Sequence, residues 1–365
     1  MAISTLPAYT NTRILTNRKP LEAGESQVPL GGGGGITRVG PTPEMLVFDL
    51  PSTVAQEADV EVYALPTQAP PALQRPVLLI HGYNGAPENW KNMRTWLTTD
   101  GVNGDGGVVD SNSTSIDKTA KVFAIKFSRP YNSTKMDAME LRQTIDKIAA
   151  ATGSKEIDLV GHSKGGLDAR YYLEEGNEKV KNLVMIATPN KGSALADIEM
   201  KFREMGMPIK PSVDDAEVRQ CFRDLCEDRV IDGKFNNPTA HELNKNFAHQ
   251  RDRANILLIA GNGTPTLNGN TILTLRGDGV VPQSSVKLDK VPLKNIWWTT
   301  HSGVKEHPDA LIATANFLTG KAVDLRDQEP PGVQPDQQIV PLQISSGADQ
   351  VHYLVQEKVP EKKQP

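Results

Sequence analysis

Ile157-Asp158-Leu159-Val160-Gly161-His162-Ser163-Lys164-Gly165-Gly166-Leu167-Asp168 is the stretch that decides the fold. Ile157 to Val160 read as a buried strand, which runs into Gly-x-Ser-x-Gly and then into a helix opening at Gly165. A serine held at a sharp, strained strand-to-helix turn presents its Oγ above a sheet, and glycine two residues to either side lets strand and helix backbones pass closely. The pentapeptide alone occurs in roughly one random chain in eight of this length, so the strand-turn-helix setting carries the weight. Ser163 is the candidate nucleophile, and an ordinary Gly-Ser turn is the plain alternative.

Working outward, apolar β-rich runs alternate with helical patterns from Val60 to Leu318, the signature of βα units building a mostly parallel sheet. Strands are expected over Val60–Leu65, Pro76–Ile80, Lys121–Phe127, Ile157–Val160, Val180–Ile186, Ile256–Ala260, Thr271–Leu275 and Asn295–Thr299. Helices are expected over Pro87–Thr98, Met136–Ala151, Gly165–Glu174 and Pro308–Leu318. The expected fold is α/β: an α/β-hydrolase fold with a mostly parallel central sheet, helices on both faces and an inserted cap or lid. The alternation breaks between about 191 and 253, where charged helical sequence replaces a short connection, and this segment is the expected cap. Residues 46–320 form the α/β-hydrolase domain in this reading. Residues 1–45, with the run Gly31 to Gly35, read as a flexible leader, and 321–365 as a Pro/Gln-rich extension in which Ile339–Ile344 and Val351–Val355 suit short strands.

A serine hydroxyl needs a base, and the base needs a carboxylate to fix its tautomer. In this fold the chain order is Ser, acid, His. His301 stands just beyond the apolar run Ile296-Trp297-Trp298 and is the expected base, with His307 the runner-up; His241 and His249 fall in the cap, on a polar helix expected over Thr239–Gln250, and His352 in the tail. Asp278, between glycines in Arg276-Gly277-Asp278-Gly279-Val280-Val281-Pro282, is the expected acid, following the strand over Thr271–Leu275. Alone it would read as an Asp-Gly turn, and its place in the order tips it. Leu78-Leu79-Ile80-His81-Gly82-Tyr83 is a strand ending at the same edge, so the oxyanion amides are assigned to Tyr83 and Lys164, the latter at a helix N-terminus. His81 is read as a structural side chain.

These motifs, with Ala187-Thr188-Pro189-Asn190-Lys191-Gly192-Ser193 and His301-Ser302-Gly303, resemble those of bacterial triacylglycerol lipases and related lipase-like serine esterases over about 75–318. The resemblance implies nucleophile Ser163, acid Asp278, base His301 and oxyanion amides at Tyr83 and Lys164. It also implies a mobile lid, for which Ile198–Met207, with Met200, Phe202, Met205 and Met207, could supply a Met-rich face; plain packing on the core is the other reading. Ser302-Gly303-Val304 stand where this group often has a calcium-binding aspartate soon after its histidine, so the resemblance does not extend to a calcium site there.

The expected function is therefore carboxylic ester hydrolysis on medium or long acyl esters, with an ester or lipid substrate met at a lipid-water or polymer interface and no cofactor. A polyester depolymerase, or an acyltransferase or deacylase using the same residues, are the alternatives; a non-enzymatic binding module would require a damaged triad. With a formal net charge of -4 and no dense basic run, nucleic acid is not an expected partner. With 38% hydrophobic and 23% charged residues, and no apolar run near the roughly 18 residues of a span, no transmembrane segment is expected. Met1–Thr16 lacks the apolar stretch of a signal peptide, which fits a cytoplasmic protein or one exported and processed. Cys221 and Cys226 are read as two unpaired thiols, with a small local disulfide as the alternative.

Overall fold

The computed structural model describes residues 63–209, 213–269 and 272–327, together with backbone strands Gln27–Pro29, Gly35–Arg38, Met45–Leu50, Gln337–Gln338, Ser346–Gly347 and Gln350–Gln356. Its centre is a seven-stranded, wholly parallel sheet. In chain order the strands are β1 (Val77–Ile80), β2 (Asp105–Val109), β3 (Val122–Ile125), β4 (Ile157–His162), β5 (Val180–Ile186), β6 (Asn255–Asn262) and β7 (Leu293–Trp297). Their order across the sheet is β7-β6-β5-β4-β1-β3-β2, which puts the Ser163 strand at the middle.

Two-sided burial follows from strand alternation. Leu78 and Ile80 of β1 face one layer, Val77 and Leu79 the other. The first layer is covered by Leu141, Ile145 and Ile148 of α2 (Thr134–Thr152) and by Ala169, Tyr172 and Leu173 of α3 (Lys164–Glu174). On the second, Met93, Trp96 and Leu97 of α1 (Lys91–Leu97) pack with Leu311 and Leu318 of the C-terminal helix Pro308–Leu318. Helix α2 starts on Ser133, whose Oγ accepts from the Met136 amide, and stops at Gly153, which holds φ 68°.

Between β5 and β6 the chain forms α4 (Ala194–Glu204), α5 (Ala216–Leu225), a short hairpin of Val230–Ile231 with Lys234–Phe235, α6 (Pro238–Lys245) and α7 (Phe247–Arg253). The single helix expected over Thr239–Gln250 is thus two, separated at Asn246. The strand expected over Thr271–Leu275 exists as Ile272–Thr274, but it pairs with Thr266–Asn268 and Gln337–Gln338 in a small antiparallel sheet rather than joining the central one. Of the strand expected over Val60–Leu65, residues 60–62 lie outside the described residues and 63–65 carry no regular element. Ile339–Ile344 lies outside them as well, whereas Val351–Val355 falls within Gln350–Gln356, which pairs antiparallel with Met45–Leu50. Among the described residues no helix is long and apolar enough to cross a membrane. Cys221 and Cys226 are buried free thiols.

Candidate active site

Ser163 holds φ 54° and ψ -126°, a conformation that costs an L-residue about 1–3 kcal/mol and persists only where the surroundings over-determine it. They do so here. The Ser163 amide donates to the Ile186 carbonyl of β5 at 2.9 Å, and the Ser163 carbonyl accepts from the Gly166 amide at 3.1 Å. Neither flanking glycine has room for a side chain: a Cβ at Gly161 would lie 2.6 Å from the Gly166 nitrogen, and one at Gly165 2.5 Å from the Ile80 carbonyl oxygen. Close passage of α3 over the ends of β1 and β4 is therefore what the Gly-x-Ser-x-Gly spacing secures.

The structure brings Ser163, His301 and Asp278 together. His301 Nε2 lies 2.9 Å from Ser163 Oγ, and His301 Nδ1 lies 2.9 Å from Asp278 Oδ2. The Asp278 carboxylate is fully buried, and its other oxygen accepts from the amides of Val280 and Val281 at 3.0 and 2.8 Å. One oxygen is thereby fixed by backbone, leaving the other to orient the imidazole. Asp278 reaches this place after β6, by way of the Thr266–Thr274 hairpin, rather than from the end of a sheet strand of its own. A Cβ at Gly261, near the end of β6, would stand 2.8 Å from the Asp278 Cβ, so glycine there admits the aspartate.

His307, the runner-up, is committed elsewhere: it caps the helix Pro308–Leu318, its Nδ1 accepting from the Asp309 amide at 3.2 Å. His81 is buried, and its Nδ1 donates to the Gly82 carbonyl at 3.0 Å; burial lowers its pKa. His241 and His249 stand beside Asp228 and Glu174.

The segment expected to supply one oxyanion amide lies against the serine. A Cβ at Gly82 would come within 2.7 Å of the Ser163 Cβ and 3.3 Å of its Oγ, so the His81-Gly82-Tyr83 turn closes directly over the hydroxyl. Lys164 is the first residue of α3, where a backbone N–H has no intrahelical acceptor. The Tyr83 ring packs on Tyr131 and Phe222, and with Leu167, Met200 and Cys221 these side chains form an apolar cluster beside the site. Met205 and Met207 stay out of that cluster and are exposed, so the methionines of 198–207 do not share one face.

Two features were invisible to motif reading. His162, the variable residue before the serine, is buried, and its Nε2 donates to the His301 carbonyl at 2.8 Å; its ring packs at a tilt against that of His301, 4.9 Å between centroids. Burial, reinforced by nearby cations, drives its pKa well down, so it is a neutral strut between the serine strand and the histidine loop. The Lys164 side chain is the second. It turns away beneath the elbow and donates to Asp137 at 2.6 Å and Asp168 at 2.8 Å, joining α2 to α3. Among the described residues no group of three or more His, Cys, Asp or Glu side chains is placed to hold a metal ion.

Residues 68–205 match a family described as an alpha/beta hydrolase of unknown function (DUF915). The chain also aligns with a solved structure, phospholipase PlaB from Legionella pneumophila, at a TM-score of 0.50 over 69% of this chain and 61% of that one, with 14% identity, a likeness of fold alone. The chain has the α/β-hydrolase fold. Among curated relatives of this α/β-hydrolase, a triacylglycerol lipase of Burkholderia plantarii is 27% identical over 47% of this chain and 39% of its own length. A triacylglycerol lipase of Pseudarthrobacter phenanthrenivorans is 29% identical over 34% of this chain and 36% of its own. The chain thus spans well under half the length of the curated relatives it matches.

Proposed function

We propose that this α/β-hydrolase is a serine carboxylic ester hydrolase. The observation that carries the reading is the continuous hydrogen-bonded line Ser163 Oγ, His301, Asp278, with both links at 2.9 Å and the serine on a strained elbow. In the proposed reaction Ser163 Oγ attacks the ester carbonyl carbon while His301 Nε2 takes its proton. The carbonyl π electrons move to oxygen, and the amides of Tyr83 and Lys164 meet that oxyanion. Collapse expels the alcohol, which receives the proton from His301, and leaves an acyl-serine. Water, deprotonated by His301, repeats the sequence and releases the acid. Asp278 holds the imidazole tautomer and stabilises the imidazolium.

The apolar cluster of Tyr83, Tyr131, Leu167, Met200 and Phe222 beside the elbow suits a hydrocarbon acyl chain better than a charged one, and the lipase names of the relatives point the same way. Medium or long acyl esters are the proposed substrates. Hydrolysis of p-nitrophenyl esters from acetyl to palmitoyl, compared between wild type and Ser163→Ala, tests the reading. The expected loss in kcat is at least about 10^4-fold. Undiminished turnover in the variant would remove Ser163 from the reaction.

A further inference from the structure

Parallel strands present all their N-terminal ends at one edge of the sheet, here the edge opposite Ser163. At that edge the residue pair before β1, the starts of β5 and β6, and the turn leading into β7 surround a cavity of 630 Å³. Its volume is within the range that holds small organic ligands. Five cationic side chains line it, those of Arg75, Lys181, Arg251, Lys290 and Lys321, and no Asp or Glu does. Two of the five are already engaged: Arg75 Nε donates to Asp158 at 3.0 Å, and Lys181 stands 3.9 Å from Glu156.

The remaining three are not neutralised by any carboxylate among the described residues. Arg251 lies over the Phe247 ring at 5.8 Å, and its buried Nε has no hydrogen-bond partner among the described residues. Three cations without a carboxylate partner give the cavity a positive field that draws in an anion. Lys290 holds φ 61°, a conformation that favours glycine or asparagine, yet the position carries a cation. Ile256, Val291 and Phe317 supply an apolar wall.

We infer that this cavity binds a small organic phosphate, its anionic end meeting Arg251, Lys290 and Lys321 and its apolar body lying along Ile256, Val291 and Phe317. A phosphate monoester carries more than one negative charge and several strong acceptors, which matches three cations and an arginine fork; a single carboxylate would leave the cavity positive. The site is separate from the serine and does not depend on the proposed hydrolysis.

Calorimetric titration of the full chain with phenyl phosphate and with inorganic phosphate tests it. Phenyl phosphate is expected to bind saturably, more tightly than inorganic phosphate and more weakly as salt is added. The Arg251→Gln/Lys290→Gln/Lys321→Gln variant is expected to lose at least about tenfold in affinity. Lys290 and Lys321 are exposed, so Lys290→Gln and Lys321→Gln singly, each expected to weaken binding about threefold, carry the test where the Arg251 substitution unsettles the fold. Absence of saturable binding, or equal affinity in these variants, would overturn the proposal; equal affinity for inorganic phosphate would overturn the role of the apolar wall.

Discussion

Lys164 and Arg170 are both buried on α3, and they are satisfied in opposite ways. Lys164 is held by two carboxylates, Asp137 and Asp168. Among the described residues, the hydrogen bonds of Arg170 go only to neutral oxygens: Gln250 Oε1 at 2.8 Å, Asn190 Oδ1 at 2.9 Å, Asn244 Oδ1 at 3.0 Å and the Leu243 carbonyl at 2.8 Å. Burial opposes both charges. At Lys164 the carboxylates outweigh it and hold the pKa above the ordinary lysine value, whereas at Arg170 burial wins and pulls the pKa down to about 9. Lys164 ties α3 to α2 inside the hydrolase core, while Arg170 ties α3 to the α6–α7 part of the segment between β5 and β6. The first tie depends on compensation of charge, the second on satisfaction of geometry.

The largest expected effect comes from removing the compensated cation. Lys164→Met strands two buried carboxyl groups and is expected to cost about 3–5 kcal/mol in urea unfolding. It should also lower kcat for ester cleavage, because the elbow amide rides on the same residue. Arg170→Met leaves only neutral acceptors behind and sheds the burden of burying a guanidinium, so a loss of ~2 kcal/mol is expected, with kcat for short esters nearly unchanged. Equal losses from the two substitutions would erase the distinction.

The smallest effect is one of pH. Burial pushes the Asp137 carboxyl up to about 6, against the attraction of Lys164. A carboxyl raised above its unfolded value favours the fold below about pH 4 and loses that contribution as pH rises through about 6. Asp137→Asn cannot titrate, so its urea midpoint should gain on wild type between pH 4 and pH 6 while staying close to it at the acid end. A constant difference across that range would mean that Asp137 does not titrate there.

What could be read in advance was local. Gly161 to Gly166 sit within a few residues of one another, so their spacing already encodes the turn, and β1, β4, β5 and β6 were legible as apolar runs. His301 and Asp278 were legible through their order along the chain, although the strand thought to lead to Asp278 belongs to a side hairpin. The partners of Lys164 and Arg170 were not legible: Asp137 lies on another helix, and Asn190, Asn244 and Gln250 come from three further segments that only tertiary packing assembles. The role of His162 was illegible for the same reason, its partner being the His301 carbonyl, 139 positions along the chain. The basic cavity draws on five stretches of chain, none remarkable in charge alone.

The order of the strands also bears on how the protein is born. During synthesis from the N-terminus, β1, β3, β4 and β5 are complete by Ile186, and the elbow can close with the Ile186 carbonyl as its brace. The imidazole that reaches Ser163 Oγ emerges more than a hundred residues later. On the proposed mechanism, a nascent chain would therefore carry its bent serine through a long interval without its base, and that hydroxyl would stay chemically quiet until translation has passed His301.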